Sequence, residues 1–248
     1  SCGATIAFAM ECFEKGIITQ KETGGIELKF GNTKAMLEVL DQIVNKSTPF
    51  GELLSRGSAR AAAEWGPEAD KCLITVKNQE APAHMPQVKK VLALVYAVNA
   101  FGADHQSSEH DWMYEEGAAE LYLERLALMG LTNAPPVDDF GPEKVKFGTL
   151  SHIFYSLLDT LTVCQFVWGP AWTLFGPTEM VDLVKASTGW DVTLEELLKA
   201  GERRLNMMRV FNIREGFSRA DDKLPTKFFE PLKGVGPSAG VAVDKELL

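Results

Sequence analysis

The chain has 248 residues, 46% of them hydrophobic and 24% charged, with a formal net charge of −9 at pH 7. That length can bury a sizeable core in one large or two modest domains. The acidic balance, with no basic stripe interleaved with aromatics, excludes a nucleic-acid surface, and the longest nearly uncharged stretch, Phe147 to Glu179, is broken by Asp159, Gly169 and Pro170, so no membrane span is expected.

In chain order, Ile6, Met10, Phe13 and Ile17 recur at helical spacing and Gly16 supplies a stop. Phe30-Gly-Asn-Thr33 offers caps for a second helix through Val44, and an alanine-rich run predicts a third over Gly51 to Glu64, ended by Gly66-Pro67. Leu73 to Val76 is a short strand candidate, with Pro82 and Pro86 bounding a loop. Composition changes between Ala69 and Pro86, which places a boundary between two helical domains, residues 1–75 and 76–248. Beyond it, helices are expected over Val88–Ala100, Gly117–Met129, Lys144–Trp168 (one long helix or a pair), Thr178–Ser187 and Thr193–Phe211. The last opens with a capping box, Thr193-Leu-Glu-Glu196. From Asn212 onward glycine, proline and charge predict an irregular tail. The fold class is mainly α, two helical domains with few or no short strands.

Cys2, Cys12, Cys72 and Cys164 form no Cys-x-x-Cys pair, and no signal peptide or lipidation motif is present, a pattern expected in the reducing cytoplasm. Ser1-Cys-Gly3 opens straight into helical periodicity, and Asp244-Lys-Glu-Leu-Leu248 reads as a helix start without a body, so a piece of a longer protein is expected.

Three segments have side chains suited to chemistry. The hexapeptide Asp159-Thr-Leu-Thr-Val-Cys164 lies in the most apolar helical stretch. Residues five apart on an ideal helix point about 140° apart, so Asp159 and Cys164 share a face only if the helix breaks. A carboxylate among leucines needs a partner or a bend. Taken alone, the segment reads as an Asp N-cap followed by a buried free thiol. The second segment, Gly102-Ala-Asp-His105 with His110 after it, reads on its own as a capping or surface histidine, and a histidine at a helix end would also offer a general acid/base near neutral pH. The five-residue interval between the two histidines does not suit two ligands on one helical face. The third, Asn212-Ile-Arg-Glu-Gly-Phe217 with Arg219, Asp221 and Asp222, reads as a solvated ion-pair cluster or the contact surface of another domain.

Read together and in order, these blocks, with Gly3 to Ile17, Phe30-Gly-Asn32, Val76-Lys-Asn-Gln-Glu-Ala-Pro-Ala83 and Leu224-Pro225, resemble the carboxy-terminal part of the tungsten-containing aldehyde ferredoxin oxidoreductase family. The resemblance implies an oxidoreductase in which an amino-terminal domain, absent here, forms the base for two pterins holding tungsten or molybdenum. It implies oxidation of an aldehyde substrate to a carboxylic acid, with electrons leaving through a [4Fe–4S] cluster to ferredoxin. Cys164 stands where the family motif Asp-x-x-Gly-Leu-Cys supplies the cluster's fourth thiolate. Asp159 stands at its pterin-binding aspartate, with backbone N–H groups after it expected to face anionic or pterin atoms. Thr162 replaces the motif's Gly and Val163 its Leu, and a β-carbon at Thr162 is expected to alter the cofactor pocket. His105 matches the implied active-site histidine. On its own the chain is expected to be inactive and to bind neither tungsten nor cluster. The other readings are a non-enzymatic helical scaffold or binding module that has lost the cofactor, and a related family member with a different substrate.

Overall fold

Asn32 marks how closely local chemistry sets the helix boundaries: its side chain accepts a hydrogen bond from Ala35 N and starts the second helix. The computed structural model describes residues 1–247, which form ten α-helices and one two-stranded hairpin. These are α1 Cys2–Glu14, α2 Thr33–Asn45, α3 Pro49–Ser55, α4 Ser58–Trp65, α5 Pro67–Asp70, β1 Thr75–Val76, β2 Gln79–Glu80, α6 Lys90–Val98, α7 Glu120–Ala127, α8 Pro142–Leu161, α9 Pro177–Thr188 and α10 Leu194–Arg214. The mainly α class expected from the periodicity is what the fold shows. The run expected as one helix over Gly51–Glu64 is two, because Gly57 at φ 93° turns the chain between α3 and α4. Beyond α10 the tail makes 3₁₀ turns only; Lys245–Leu247 is one such turn, and Leu248, the end of the expected helix start, lies outside the described residues.

The hairpin pairs Thr75 with Glu80 and Val76 with Gln79 in antiparallel register. Its two connecting residues, Lys77 (φ 50°) and Asn78 (φ 65°), both take positive φ, the conformation that matches the twist of a tight hairpin. One apolar cluster, including Ile6, Phe8, Leu28, Leu54 and Cys72, fills the space under α1–α5. A second, including Val76, Leu92, Tyr96, Tyr114 and Phe147, lies between the hairpin, α6 and α8. A third, including Phe154, Leu158, Met180 and Leu197, joins α8 to α9 and α10. Glu80, 7% exposed, ties the hairpin to α1 and α4 by accepting from Thr5 Oγ1, Ser58 N and Ser58 Oγ.

Two features position the site. Gly201 of α10 lies so close to α8 that a β-carbon there would be 2.3 Å from Ile153 O, and Ser156 Oγ donates to Gly201 O at 2.8 Å. The helices therefore meet backbone to backbone, and this sets the long α8–α10 contact. On the other side of α8, buried Lys144 pairs with buried Asp111 at 3.2 Å, and both Asp111 oxygens accept from Val91 N in the first turn of α6. None of the helices described is long and apolar enough to cross a membrane.

Candidate functional site

Gly141, Pro142 at the first position and Glu143 in the first turn start α8. The helix runs unbroken through Asp159 and stops at Thr162, which takes the left-handed conformation (φ 56°, ψ 37°). Thr162 N donates to Asp159 O and Val163 N to Leu158 O, closing the last turn on its own carbonyls. This corrects two expectations. Asp159 is not an N-cap; it projects from the last turn of α8, and Arg204 of α10 donates to its carboxylate at 3.0 Å. The N–H groups of Thr162 and Val163 are consumed inside the cap, and the end of α8 presents carbonyls and a partial negative charge, not an anion-binding nest. Thr162 is exposed, so the motif's Gly at this position is accounted for by the left-handed cap itself.

Cys164 follows two residues later and is exposed, which overturns the reading of it as a buried core thiol. Its carbonyl accepts from Val167 N and Trp168 N, and the loop it opens closes on itself through Gly169 N to Phe175 O and Phe175 N to Val167 O. Two side chains that the sequence reading did not single out hold this loop. Arg125 of α7 donates to the carbonyls of Ala171, Thr173 and Leu174. Glu109, fully buried, accepts from Ala171 N at 2.9 Å through Oε1, while its Oε2 makes no hydrogen bond. Burial pushes the Glu109 carboxyl up to about 8, against the pull of Ala171 N–H and of the nearby Tyr155, Trp172 and Arg125. Cys2 is also exposed, whereas Cys12 and Cys72 are buried.

His105 lies in the irregular segment between α6 and the 3₁₀ turn at Asp111–Met113, not at a helix end. Gly102 (φ 97°) begins that segment, and a β-carbon there would be 2.3 Å from Val76 O, so the loop lies directly on the hairpin. Asn99 Nδ2 donates to Ser107 Oγ and Ser107 Oγ to Asp104 Oδ2, which pins the loop on both sides of His105. The His105 ring stacks on His84 at 4.4 Å between centroids, and His110 is 6.3 Å away.

The His105 loop and the end of α8 border one groove. It has a volume of about 610 Å³, and its walls include Ala100, Phe101, Thr160, Met207 and Phe211, with Arg203 and Arg204 among its polar groups. Asn212 Nδ2 donates to Ala100 O and so joins α10 to the His105 loop. The segment after Asn212 is more than a solvated cluster: Asp222 accepts from Arg209 at 2.7 Å and from the buried Lys77 at 2.9 Å.

The donor set fits the implied groups in a limited way. No group of three or more His, Cys, Asp or Glu among the described residues is arranged to hold a metal ion. Cys164 is exposed and could give a single thiolate to an iron–sulfur cluster. Asp159 and the carbonyl-rich end of α8 accept hydrogen bonds, so they suit the N–H edge of a pterin ring and not a phosphate. Arg204, His84 and Glu109 had no signal in the local pattern, since each acquires its role only when distant elements meet.

The family model for aldehyde ferredoxin oxidoreductase, domains 2 and 3, matches residues 1–248. The tungsten-containing aldehyde ferredoxin oxidoreductase of Pyrococcus furiosus is 34% identical over 254 residues, covering all of this chain and 38% of that protein. Its counterpart from Thermococcus kodakarensis is 32% identical over 254 residues with the same coverage. The WOR-like subunit of an aliphatic sulfonate oxidoreductase from P. furiosus is 29% identical over 256 residues, covering 98% of this chain and 34% of that one. Among solved structures, the active-site complex of benzoyl-coenzyme A reductase with 1,5-dienoyl-CoA superposes with a TM-score of 0.68 at 22% identity, over 89% of this chain and 36% of that chain, which shows a shared fold. The chain thus spans well under half the length of the relatives it matches. Matched by the family model over every one of its residues, the chain belongs to the aldehyde ferredoxin oxidoreductase family and corresponds to its domains 2 and 3.

Proposed function

We propose that this chain is the helical part of a tungsten- or molybdenum-pterin oxidoreductase that converts aldehydes to carboxylic acids and passes electrons through a [4Fe–4S] cluster to ferredoxin. The relatives at 32–34% identity are tungsten-containing aldehyde ferredoxin oxidoreductases, which supports the reaction class. In this reading residues 1–75 and 76–248 are its two helical domains, a division supported by the change of apolar cluster between Cys72 and Val76. The remainder of the enzyme supplies the base for the pterins and the other three thiolates.

The observation that carries the reading is the exposed Cys164 thiol next to the α8 cap, with Asp159 on the same final turn. Cys164 would ligate the cluster, and the Asp159 carboxylate, braced by Arg204, would accept from the amino edge of a pterin. Thr162 and Val163 fix the angle at which the chain leaves α8 toward Cys164. When bound, the metal–pterin group supplies the two-electron chemistry. This chain's own tasks are to seat the cofactor, line the groove with apolar side chains that exclude water, and move protons. Oxidising an aldehyde with one water releases two electrons and two protons; in this reading His105, whose loop borders the groove through Ala100 and Phe101, would take one of those protons. Arg203 and Arg204 border the same groove and suit a substrate or product with an anionic end. With the relative named for aliphatic sulfonates, they favour a second reading in which the substrate is a different organic acid.

Iron content tests the assignment directly. In the complete enzyme, Cys164→Ser should lower cluster iron or change its electron-paramagnetic signature while the helical fold, by circular dichroism, is kept. An unchanged, fully loaded cluster would remove Cys164 from the site. The 248-residue chain alone should purify without stoichiometric iron or tungsten, and a stoichiometric cluster in it would contradict the assignment of the other thiolates to a separate part of the enzyme.

A further inference from the structure

Three of the chain's four histidines, contributed by the segment before α6 and the segment after it, meet around one lysine. Lys89 Nζ lies 2.9 Å from His84 Nδ1 and 3.0 Å from His110 Nδ1. His110 Nε2 lies 2.9 Å from His105 O, and the rings of His84 and His110 meet edge-on at 5.0 Å. Tyr96 OH donates to His84 O at 3.1 Å, which anchors that side from within the core.

The contacts restrict the protonation of the two flanking rings. A lysine ammonium has three donors and no acceptor, so it can bond both Nδ1 atoms only if each carries a lone pair. His110 is constrained twice, because a carbonyl oxygen can only accept, and its Nε2 must therefore carry the proton. Both contacts demand the same neutral Nε2–H tautomer. Moving the proton to Nδ1 of either ring would break its hydrogen bond to Lys89, and adding a second proton would also set an imidazolium against the ammonium. No ring nitrogen of His105 hydrogen-bonds a protein group among the described residues, and its ring is held from outside by the His84 stack and by the His110 contact to its carbonyl.

We propose that Lys89, His84 and His110 are a positioning unit for His105: the ammonium occupies a ring nitrogen on each flanking imidazole, fixes both as neutral supports, and leaves the His105 ring as the one with both nitrogens open to a substrate proton. The proposal rests on the reading of His105 as the proton-handling residue, and it adds three residues that act through it. The electrostatics agree. Burial, then the Lys89 charge, then the two other imidazoles push His84 down to about 4. Burial, then Lys89 and His105, lower His110 against the opposing His105 carbonyl. Burial also lowers Lys89, with the Asp111 charge opposing it.

Nitrogen-15 spectra of histidine-labelled protein, recorded on the full 248-residue chain, test this without any turnover. At neutral pH both His84 and His110 should show neutral Nε2–H rings; a Nδ1–H tautomer or an imidazolium at His110 would overturn the proposal. Lys89→Met should raise the protonation midpoints of both rings toward the ordinary value of about 6.5, and Lys89→Arg should restore the low midpoints. A lysine that merely packs would leave both midpoints where they are, and that result would also overturn it. If Lys89→Met does not fold, the wild-type tautomers and the Lys89→Arg midpoints still decide. These readouts stand apart from the proposed reaction, which is tested separately by His105→Gln in the complete enzyme: retained metal and iron with unimpaired aldehyde oxidation would remove the catalytic role of His105 and leave the tautomer result untouched.

Discussion

Thr162 holds φ 56° and ψ 37° at the end of α8, a conformation that costs a β-branched residue about 1–2 kcal/mol relative to the right-handed region. Glycine adopts it without that penalty, although its unfolded chain loses more freedom on ordering, on the order of 0.5–1 kcal/mol. The side chain is exposed, and its hydroxyl donates only to Leu161 O. The difference therefore favours glycine. Thr162→Gly should raise the urea midpoint by the equivalent of about 0.5–1 kcal/mol with an unchanged denaturant slope. A lower midpoint would mean that the threonine contributes something beyond a tolerated cap. The same residue explains why the sequence pattern overran the helix: apolar periodicity continues through Val163 and Val167 to Trp168, with no glycine or proline to mark the stop. The stop lies in a backbone conformation that threonine does not advertise. Glu109 was hidden for a different reason. It sits in a polar run that reads as surface, and only the wrapping of the 169–176 loop over it makes it the most buried carboxylate of the site region.

At the scale of elements, the site depends on how closely α10 lies against α8. Gly201 permits that approach, with the α8 backbone at Ile153 O and Leu157 N where a β-carbon would stand. Three residues further along α10, Arg204 reaches Asp159 at 3.0 Å and Ser156 Oγ at 3.3 Å. Helix boundaries governed by local chemistry were legible in advance. The Thr193–Glu196 capping box opens α10 as expected, with Glu196 Oε2 accepting from Thr193 N, and Asn32 opens α2. The crossing of α8 and α10 was not legible, because Gly201 inside a helical run signals only a lost alanine until its neighbour is known. Gly201→Ala separates these effects. Intrinsic helix propensity would favour alanine by about 1 kcal/mol, whereas overpacking against a helix backbone costs about 1–3 kcal/mol and sometimes more. At 2.3 Å the obstructing atom is backbone and cannot rotate away, so the clash should win. The variant should lose about 1–2 kcal/mol in denaturation, and its structure should show a lengthened Arg204–Asp159 contact. A gain in stability would mean that α10 slides without cost and that the glycine does not set the site.

Across the whole molecule, the irregular tail returns to brace the His105 loop from behind. Asp222 accepts from Arg209 Nη2 at 2.7 Å and from Lys77 Nζ at 2.9 Å, and Lys77 also donates to Ala97 O at 2.7 Å. Lys77 is the first of the two turn residues of the hairpin on which Gly102 rests, and its side chain is 2% exposed. A second strap runs from Lys227 in the tail to Glu11 of α1. Tail, hairpin and loop thus form one mechanical path from α10 to His105, assembled from residues 77, 97, 102, 209 and 222 that lie far apart in sequence. Burial by itself would raise the Asp222 carboxyl, but the two cations outweigh it and hold it below the ordinary 3.8. A carboxyl whose value is depressed on folding contributes its full stabilisation above the unfolded value, and loses it as pH falls through the folded value. Removing it at neutral pH leaves Lys77 buried with only a carbonyl partner, a loss at the low end of the 3–5 kcal/mol seen for broken buried pairs because Arg209 is about one-third exposed. Asp222→Asn should therefore cost about 3 kcal/mol at pH 7, and the gap from wild type should close below pH 3.8 as the native carboxyl takes up its proton. Denaturation of both proteins across that range reads the effect. A gap that stayed constant into acid would show that the asparagine fails for reasons of shape, and that the charge of Asp222 is not what seats the tail.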